Sequence, residues 1–470
     1  MAETYQFGMV GLGTMGKNLA LNVADHGFSV LGLATSDEKA QAFAALAEQR
    51  KLSATCGPES FIAMLEKPRI VMILVPAGDP VDSVIAELKG YMEPGDFFIE
   101  GGNSHFTDTE RRARELQAKG LGFIGVGVSG GESGARNGPS MMAGGTTESY
   151  DRVKPILEAV AAKYRMEPCV GLLGKGGAGH YVKMVHNGIE YGLMQLIAEA
   201  YDFMKRGLGM ANNAIADEFL AWSDGPFGGF LTSIVVDVMR FKDPDTGKDL
   251  VDLVQDKAKQ KGTGKWTSQD ALDLGIPIPT IDAAVSARQL SGLKEERVIA
   301  DEHFGAFVKG SIPGPEATLP DLYQAMHLSF LITYAQGISL LHAASVEHGM
   351  DIDIEQAAKV WRAGCIIRSN LLEPIRQAVK ESKKGQSILL SEAFRESIVS
   401  AADPLRRITT LMAVAHVPAP CFSASLAYFT AYRTARLPAN LIQGMRDYFG
   451  AHTYERTDKP GTFHTDWGDQ

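Results

Sequence analysis

Lys183, His186, Asn187, Glu190 and Tyr191 stand within the single run Lys-Met-Val-His-Asn-Gly-Ile-Glu-Tyr. At about 100° per residue they share one helix face, within an arc of roughly 140°. Val182, Met184, Val185, Ile189 and Leu193 fall largely elsewhere. A lysine acts as a base near neutrality only when burial or neighbouring cations lower its pKa. A carboxyl acts as an acid there only when an apolar setting or a donor keeps it protonated. A lysine, an imidazole, an amide, a carboxylate and a phenol sharing one face are costly to bury. The face is therefore either solvated surface or an active site, and the elements before it in the chain favour the second.

Those elements begin with a short apolar strand, Phe7-Gly8-Met9-Val10, followed at once by Gly11-Leu12-Gly13-Thr14-Met15-Gly16. A helical pattern comes next and a second strand ends at Leu33. G-x-G-x-x-G between strand and helix, in a βαβ unit of about 30 residues, is a dinucleotide fingerprint. Gly11 permits the tight turn, Gly13 lets backbone approach the pyrophosphate, and Gly16 lets helix and strand pack closely. The free N–H groups of the helix start meet the phosphates. Strand-like runs recur at 69–75, 96–100 and 122–126, with helices expected near 80–89 and 107–118. The near-continuous apolar character of Arg69 to Val75 fits a parallel sheet covered on both faces. Ligands in such sheets lie beyond the carboxyl ends of the strands. Val75-Pro76-Ala77-Gly78, Gly101-Gly102-Asn103-Ser104 and Gly127-Val128-Ser129-Gly130-Gly131 are expected there.

Cofactor choice turns on the end of the second strand. NAD enzymes usually place an acidic residue there, and a 2′-phosphate wants a cation. The chain reads Ala34-Thr35-Ser36-Asp37-Glu38-Lys39, with neither at the strand end. Thr35, Ser36 and Lys39 could accommodate a phosphate, so both cofactors stay open on the residues alone.

From about residue 180 the pattern is helical, with helices expected at 188–204, 282–294, 320–348, 354–363, 372–380, 387–400 and 403–415. The fold class is thus an α/β Rossmann-type dinucleotide-binding domain (1–178), a large all-α domain (179–439) and an extended C-terminal tail (440–470). Such a tail is either frayed or tied to a partner. Lys261-Gly262-Thr263-Gly264-Lys265-Trp266 departs from P-loop spacing but offers cations, a hydroxyl and flexible backbone to a terminal phosphate. A net charge of −10 gives no encouragement to nucleic-acid or membrane binding. Four scattered cysteines, with no C-x-x-C, fit a reducing cytosol and no structural zinc site. No apolar run approaches the roughly 20 residues of a bilayer span.

Gly11 to Gly16, Gly101 to Ser104, Ser129 to Glu132, Gly177 to His180 with Lys183 to Tyr191, Lys261 to Trp266, and Arg446 to Glu455 occur in one order along the chain. In these stretches it resembles the decarboxylating 6-phosphogluconate dehydrogenases over essentially its whole length. The resemblance implies oxidative decarboxylation of 6-phosphogluconate to ribulose 5-phosphate and CO2 with NADP and no metal, in a cytoplasmic homodimer. It implies Lys183 as general base and Glu190 as general acid. Asn103, His186 and Asn187 would orient the reacting groups, and Ser129, Gly130 and Gly131 would cradle the carboxylate. Tyr191, Lys261, Thr263 and Arg288 would hold the phosphate, joined by Arg446 and His452 of a second subunit. The cofactor would meet Gly11, Leu12, Gly13, Thr14, Met15, Gly16, Ala34, Thr35, Ser36, Val75, Pro76, Ala77 and Asn103. The family's usual Asn-Arg-Thr appears here as Ala34-Thr35-Ser36, a lysine often found in the strand-end loop is Pro76, and an acidic residue aligns with Ser233. These departures imply a weakened NADP preference, with NAD usable.

Overall fold

The structure, a computed structural model, describes residues 4–468. Its main sheet has the strand order Val170–Leu172, Ser140–Gly144, Gly122–Ser129, Phe97–Glu100, Ile70–Ile73, Phe7–Val10, Val30–Leu33, Leu52–Thr55. The strands from Gly122–Ser129 through Leu52–Thr55 are mutually parallel, with Phe7 opposite Val30, Gly8 opposite Val71 and Ile70 opposite Phe97. The other two run against them: Val126 lies opposite Ala143 in an antiparallel pair, and Val170 lies beside Met141. Helices cover both faces, which is why the central strands read as apolar runs. Leu19, Val23, Val153 and Ile156 pack on one face, and Phe61, Ile85, Leu88 and Leu116 on the other.

Several expectations shift. The strand from Gly122 continues to Ser129, so Gly127 and Val128 are sheet residues rather than loop. The helix expected from 188 starts at Ala178 and runs to Asp202, placing all five polar residues inside it. The helices expected at 387–400 and 403–415 are one helix, Glu392–Val414, with buried Pro404 inside it. A proline costs one backbone bond and a ring clash, and burial of this face outweighs that cost.

Helix Ala178–Asp202 is buried nearly all round. It packs on the sheet through glycines: a Cβ on Gly179 would stand 2.4 Å from the Met142 carbonyl oxygen. On its other side lies helix Pro315–Glu347, where a Cβ on Gly337 would meet Ile189 at 2.5 Å. Helices Thr263–Asp273, Pro279–Ser291 and Pro420–Tyr432 complete its surroundings. The candidate chemistry is therefore carried on the most enclosed helix, at the seam between sheet and helical region.

The tail opens with helix Ala439–Gly450, then pairs Tyr454–Glu455 with Thr462–Phe463. It is organised around the buried carboxylate of Asp447. That group accepts from Thr453 N (2.9 Å), Thr465 N (3.1 Å), His464 Nδ1 (2.9 Å) and Trp467 Nε1 (3.0 Å). Leu441, Ile442, Met445 and Phe449 remain exposed on the same helix.

Candidate active site

Lys183 is 5% exposed. Its Nζ donates to Asn187 Oδ1 at 2.8 Å and lies 3.5 Å from His186 Nδ1. His186 Nδ1 is 3.0 Å from the same amide oxygen, and its Nε2 is 3.1 Å from Ser129 Oγ. A carbonyl oxygen only accepts, so the network assigns the proton to Nδ1 and has Ser129 donate to Nε2. Asn187 Nδ2 in turn donates to Thr263 Oγ1 at 3.1 Å. Four elements thus converge on one lysine: strand Gly122–Ser129, helix Ala178–Asp202, helix Thr263–Asp273, and Trp361, whose ring meets His186 edge-on at 5.9 Å.

No carboxylate touches Lys183 among the described residues. Burial lowers its pKa, opposed by the more distant charge of Glu190. Burial likewise pushes Glu190 up, against the pull of Lys183 and Arg288. His186 is held well below its usual value by burial and by Lys183, so it is neutral beside Glu190, 3.9 Å away. The arrangement favours a neutral amine and a protonated acid on one helix, which is the pairing that general base and general acid work requires.

Gly127 makes the placement possible. A Cβ there would stand 2.4 Å from Lys183 Cβ and 2.8 Å from its Cγ. Its role was invisible in the sequence, where it reads as loop glycine. Asn103 lies exposed in the loop after strand Phe97–Glu100, held by a buried network that sequence reasoning also missed. Arg112 Nη1 donates to Glu100 at 3.1 Å and its Nη2 to Asp82 at 2.7 Å, and Ser104 donates to Glu100. An acidic residue ending the apolar run Phe97-Phe98-Ile99 was the available signal.

Tyr191 is packed between Gly264, where a Cβ would stand 2.5 Å from its ring, and Arg288, whose guanidinium lies 3.4 Å from its ring centroid. With Thr263 on the same helix start and Lys261 exposed in the loop before it, these groups form a cationic, hydroxyl-bearing end to the site. Gly130, at a φ of 129°, lies against the Gly364 carbonyl, and Gly131 follows with open space where a side chain would be. Arg446 donates to Gln443 Oε1, and His452 stacks edge-on against Phe449. Among the described residues neither touches the Lys183 cluster.

The dinucleotide cleft has a volume of about 820 Å³ and is lined by Gly11, Leu12, Gly13, Ala34, Thr35 and Val75 among others. A Cβ on Gly16 would stand 1.8 Å from the Gly11 carbonyl oxygen, whereas Gly13 faces open space. Those are the packing and approach roles read from the fingerprint, and they fit a pyrophosphate at the start of helix Thr14–Asp25. Thr14 and Met15 open that helix, and Pro76 and Ala77 lie in the loop after strand Ile70–Ile73. Ser36 is occupied in capping helix Asp37–Ala44. Lys39 also lines the cleft, its Nζ donating to Thr35 Oγ1 at 3.0 Å.

A largely parallel sheet with this fingerprint and cleft defines a Rossmann-type dinucleotide-binding protein joined to a large helical region. The chain belongs to the 6-phosphogluconate dehydrogenase family. Residues 6–174 match the NAD binding domain of 6-phosphogluconate dehydrogenase, and 179–467 match its C-terminal domain. It is 48% identical to the decarboxylating 6-phosphogluconate dehydrogenase of Synechocystis, over 98% of both chains. It is 47% identical to the NADP(+)-dependent, decarboxylating enzyme of Bacillus subtilis, over 98% of this chain and 99% of that one. A solved structure of the Plasmodium falciparum enzyme, described in apo form and with NADP+ or 6-phosphogluconate, superimposes with a TM-score of 0.94. It is 39% identical and covers 98% of this chain and 100% of its own.

Proposed function

We propose that this chain oxidises and decarboxylates 6-phosphogluconate to ribulose 5-phosphate and CO2, with NADP reduced in the process. The observation that carries the mechanism is a buried lysine without a carboxylate partner, four residues from an amide that orients it and seven from a carboxyl whose pKa burial raises. NADP, when bound, supplies the hydride acceptor. Lys183 takes the proton of the 3-hydroxyl as the hydride leaves C3. Now an ammonium, it donates a hydrogen bond to the new keto oxygen, which accepts electron density as the bond to the carboxylate breaks and CO2 departs. Glu190 gives its proton to the carbon that becomes C1, and the enediolate, held by the Lys183 ammonium, becomes the ketose. Asn187 and His186 hold Lys183 in register, and Asn103 orients the reacting groups in this reading.

Ser129, Gly130 and Gly131 hold the substrate carboxylate in this reading. Tyr191, Lys261, Thr263 and Arg288 hold its phosphate, with Arg446 and His452 supplied by a second copy. Support for the shared site is that both residues sit on a tail that presents Leu441, Ile442, Met445 and Phe449 to solvent. The segments 1–178, 179–439 and 440–470 are then the dinucleotide-binding, helical and docking units of a cytoplasmic homodimer. No helix among the described residues is long and apolar enough to cross a membrane. Lys39 and Thr35 meet the 2′-phosphate in place of an arginine, so the preference for NADP over NAD is below about a thousandfold in kcat/KM, or about 4 kcal/mol.

Stoichiometric CO2 release from substrate labelled at C1, matched to NADPH formed, tests the reading. Gluconate should be turned over at least about a hundredfold less efficiently, since it lacks the phosphate that the cationic end binds. Equal kcat/KM on gluconate would exclude the substrate assignment.

A further inference from the structure

The segment Trp361 to Asn370 has two sides. Its inner side meets the active site: Trp361 abuts His186, and the Gly364 carbonyl packs against Gly130. Its outer side, at Arg368, Ser369 and Asn370, lines a separate cavity of about 330 Å³ together with Phe230, Ser233 and Arg362. The segment is pinned between them by Tyr334, whose hydroxyl lies 2.5 Å from the Ile367 carbonyl and 3.0 Å from Ser369 Oγ.

The two arginines of this cavity differ in their company. Arg362 is saturated by Glu167, Glu373 and the Lys359 carbonyl. Glu373, which also borders the cavity, is further neutralised by Arg376. Arg368 meets no carboxylate among the described residues. It lies 4.0 Å over the Phe230 ring and uses one N–H on the Cys365 carbonyl, at 2.8 Å. Burial holds its pKa below the ordinary value, offset only in part by the nearby Cys365 sulfur. An arginine in such a setting keeps most of its planar donor fork free, in the geometry that pairs with phosphate oxygens. Asn370 spends one amide N–H on the Gly225 carbonyl and keeps the other.

We propose that this cavity is an oxyanion site taking inorganic phosphate or the phosphoryl group of a small phosphomonoester, with Arg368 as its anchor. Its occupancy is transmitted to Lys183 through the shared segment, a coupling that rests on the catalytic reading above. The volume suits a phosphoryl group with a short carbon chain or a few waters.

The test uses the full-length enzyme with 6-phosphogluconate and NADPH both present. That pair does not react, and it fills the two phosphate subsites of the catalytic cleft. Calorimetry of 6-phosphogluconate alone, run first, reports separately on the catalytic reading. Inorganic phosphate titrated into the filled enzyme should bind saturably at one site per chain. Arg368→Gln should weaken that binding by about tenfold or more. Ser233→Glu, a change at an exposed position that brings a competing carboxylate, should do the same if Arg368→Gln fails to fold. Glycerol 3-phosphate in a parallel titration distinguishes the sources: tighter binding than phosphate assigns the site to organic phosphates, weaker binding to the free ion. At saturating 6-phosphogluconate and NADP, phosphate should alter kcat of the wild type and not of the variant. Absence of saturable binding, or equal binding by Arg368→Gln, overturns the site. Binding that leaves kcat unmoved overturns the coupling.

Discussion

Lys183 and Glu190 carry opposite shifts from one cause, and this fixes a pH signature. On the proposed mechanism Lys183 works only when neutral, and burial brings its pKa down; Glu190 works only when protonated, and burial brings its pKa up. kcat should therefore rise with pH as Lys183 loses its proton, below the usual lysine range, and fall again as Glu190 loses its own. Glu190→Gln should abolish the alkaline limb in a pH–rate profile; an unchanged limb would mean another group supplies the proton. Gly127 offers a second check at this scale. Gly127→Ala would drive a methyl into Lys183, and an error of about 1 Å at a catalytic group can cost about a hundredfold in rate. Stopped-flow turnover should show that loss, with cofactor affinity unchanged. The residue types and spacing of the Lys183 face were legible because a helix fixes which side chains align. Gly127, Arg112 and Glu100 were not, since their roles arise from through-space packing between elements far apart in the chain.

Among elements, Glu199 shows how the central helix is tied to its neighbours. Its carboxylate accepts from the N–H groups of Cys421 (2.9 Å) and Phe422 (3.0 Å), the start of helix Pro420–Tyr432. Burial outweighs these bonds and pushes its pKa up to about 7. A folded pKa above the unfolded one means its contribution to stability is full below the unfolded value, about 4.3, and is lost as pH rises through about 7. Glu199→Gln should flatten the dependence of thermal stability on pH across that window. Glu199→Ala should strand two buried N–H groups and cost about 1–3 kcal/mol, measured by urea unfolding at pH 6. The sheet and long helices were legible from periodicity. The antiparallel strand Ser140–Gly144 was not, because Ser-Met-Met-Ala-Gly carries neither alternation nor β-branching. Nor was the single helix through Pro404, since local propensity argues for a break that tertiary burial overrides.

At the scale of the whole molecule, the proposed site shared between two copies rests on the tail. Asp447 folds it into an ordered unit, while the neighbouring Arg446 and His452 stay clear of their own Lys183. Removing residues from 440 onward, or unlocking them with Asp447→Ala, should raise KM for 6-phosphogluconate by about tenfold or more and weaken the proposed dimer in sedimentation. A truncated monomer with native KM would contradict the shared site. The tail's change of composition was legible, but its internal order around one buried carboxylate was not. The central claim joins cofactor cleft, buried lysine and phosphate grip in one reaction, and a single comparison tests it. Wild type and Lys183→Met are given C1-labelled 6-phosphogluconate and NADP, with CO2 and NADPH followed together and substrate binding measured by calorimetry. The variant should lose about a thousandfold or more in kcat while both products vanish in step and substrate affinity stays within about tenfold. A Lys183→Met enzyme that still releases CO2 and NADPH at a tenth of the wild-type rate would contradict the account.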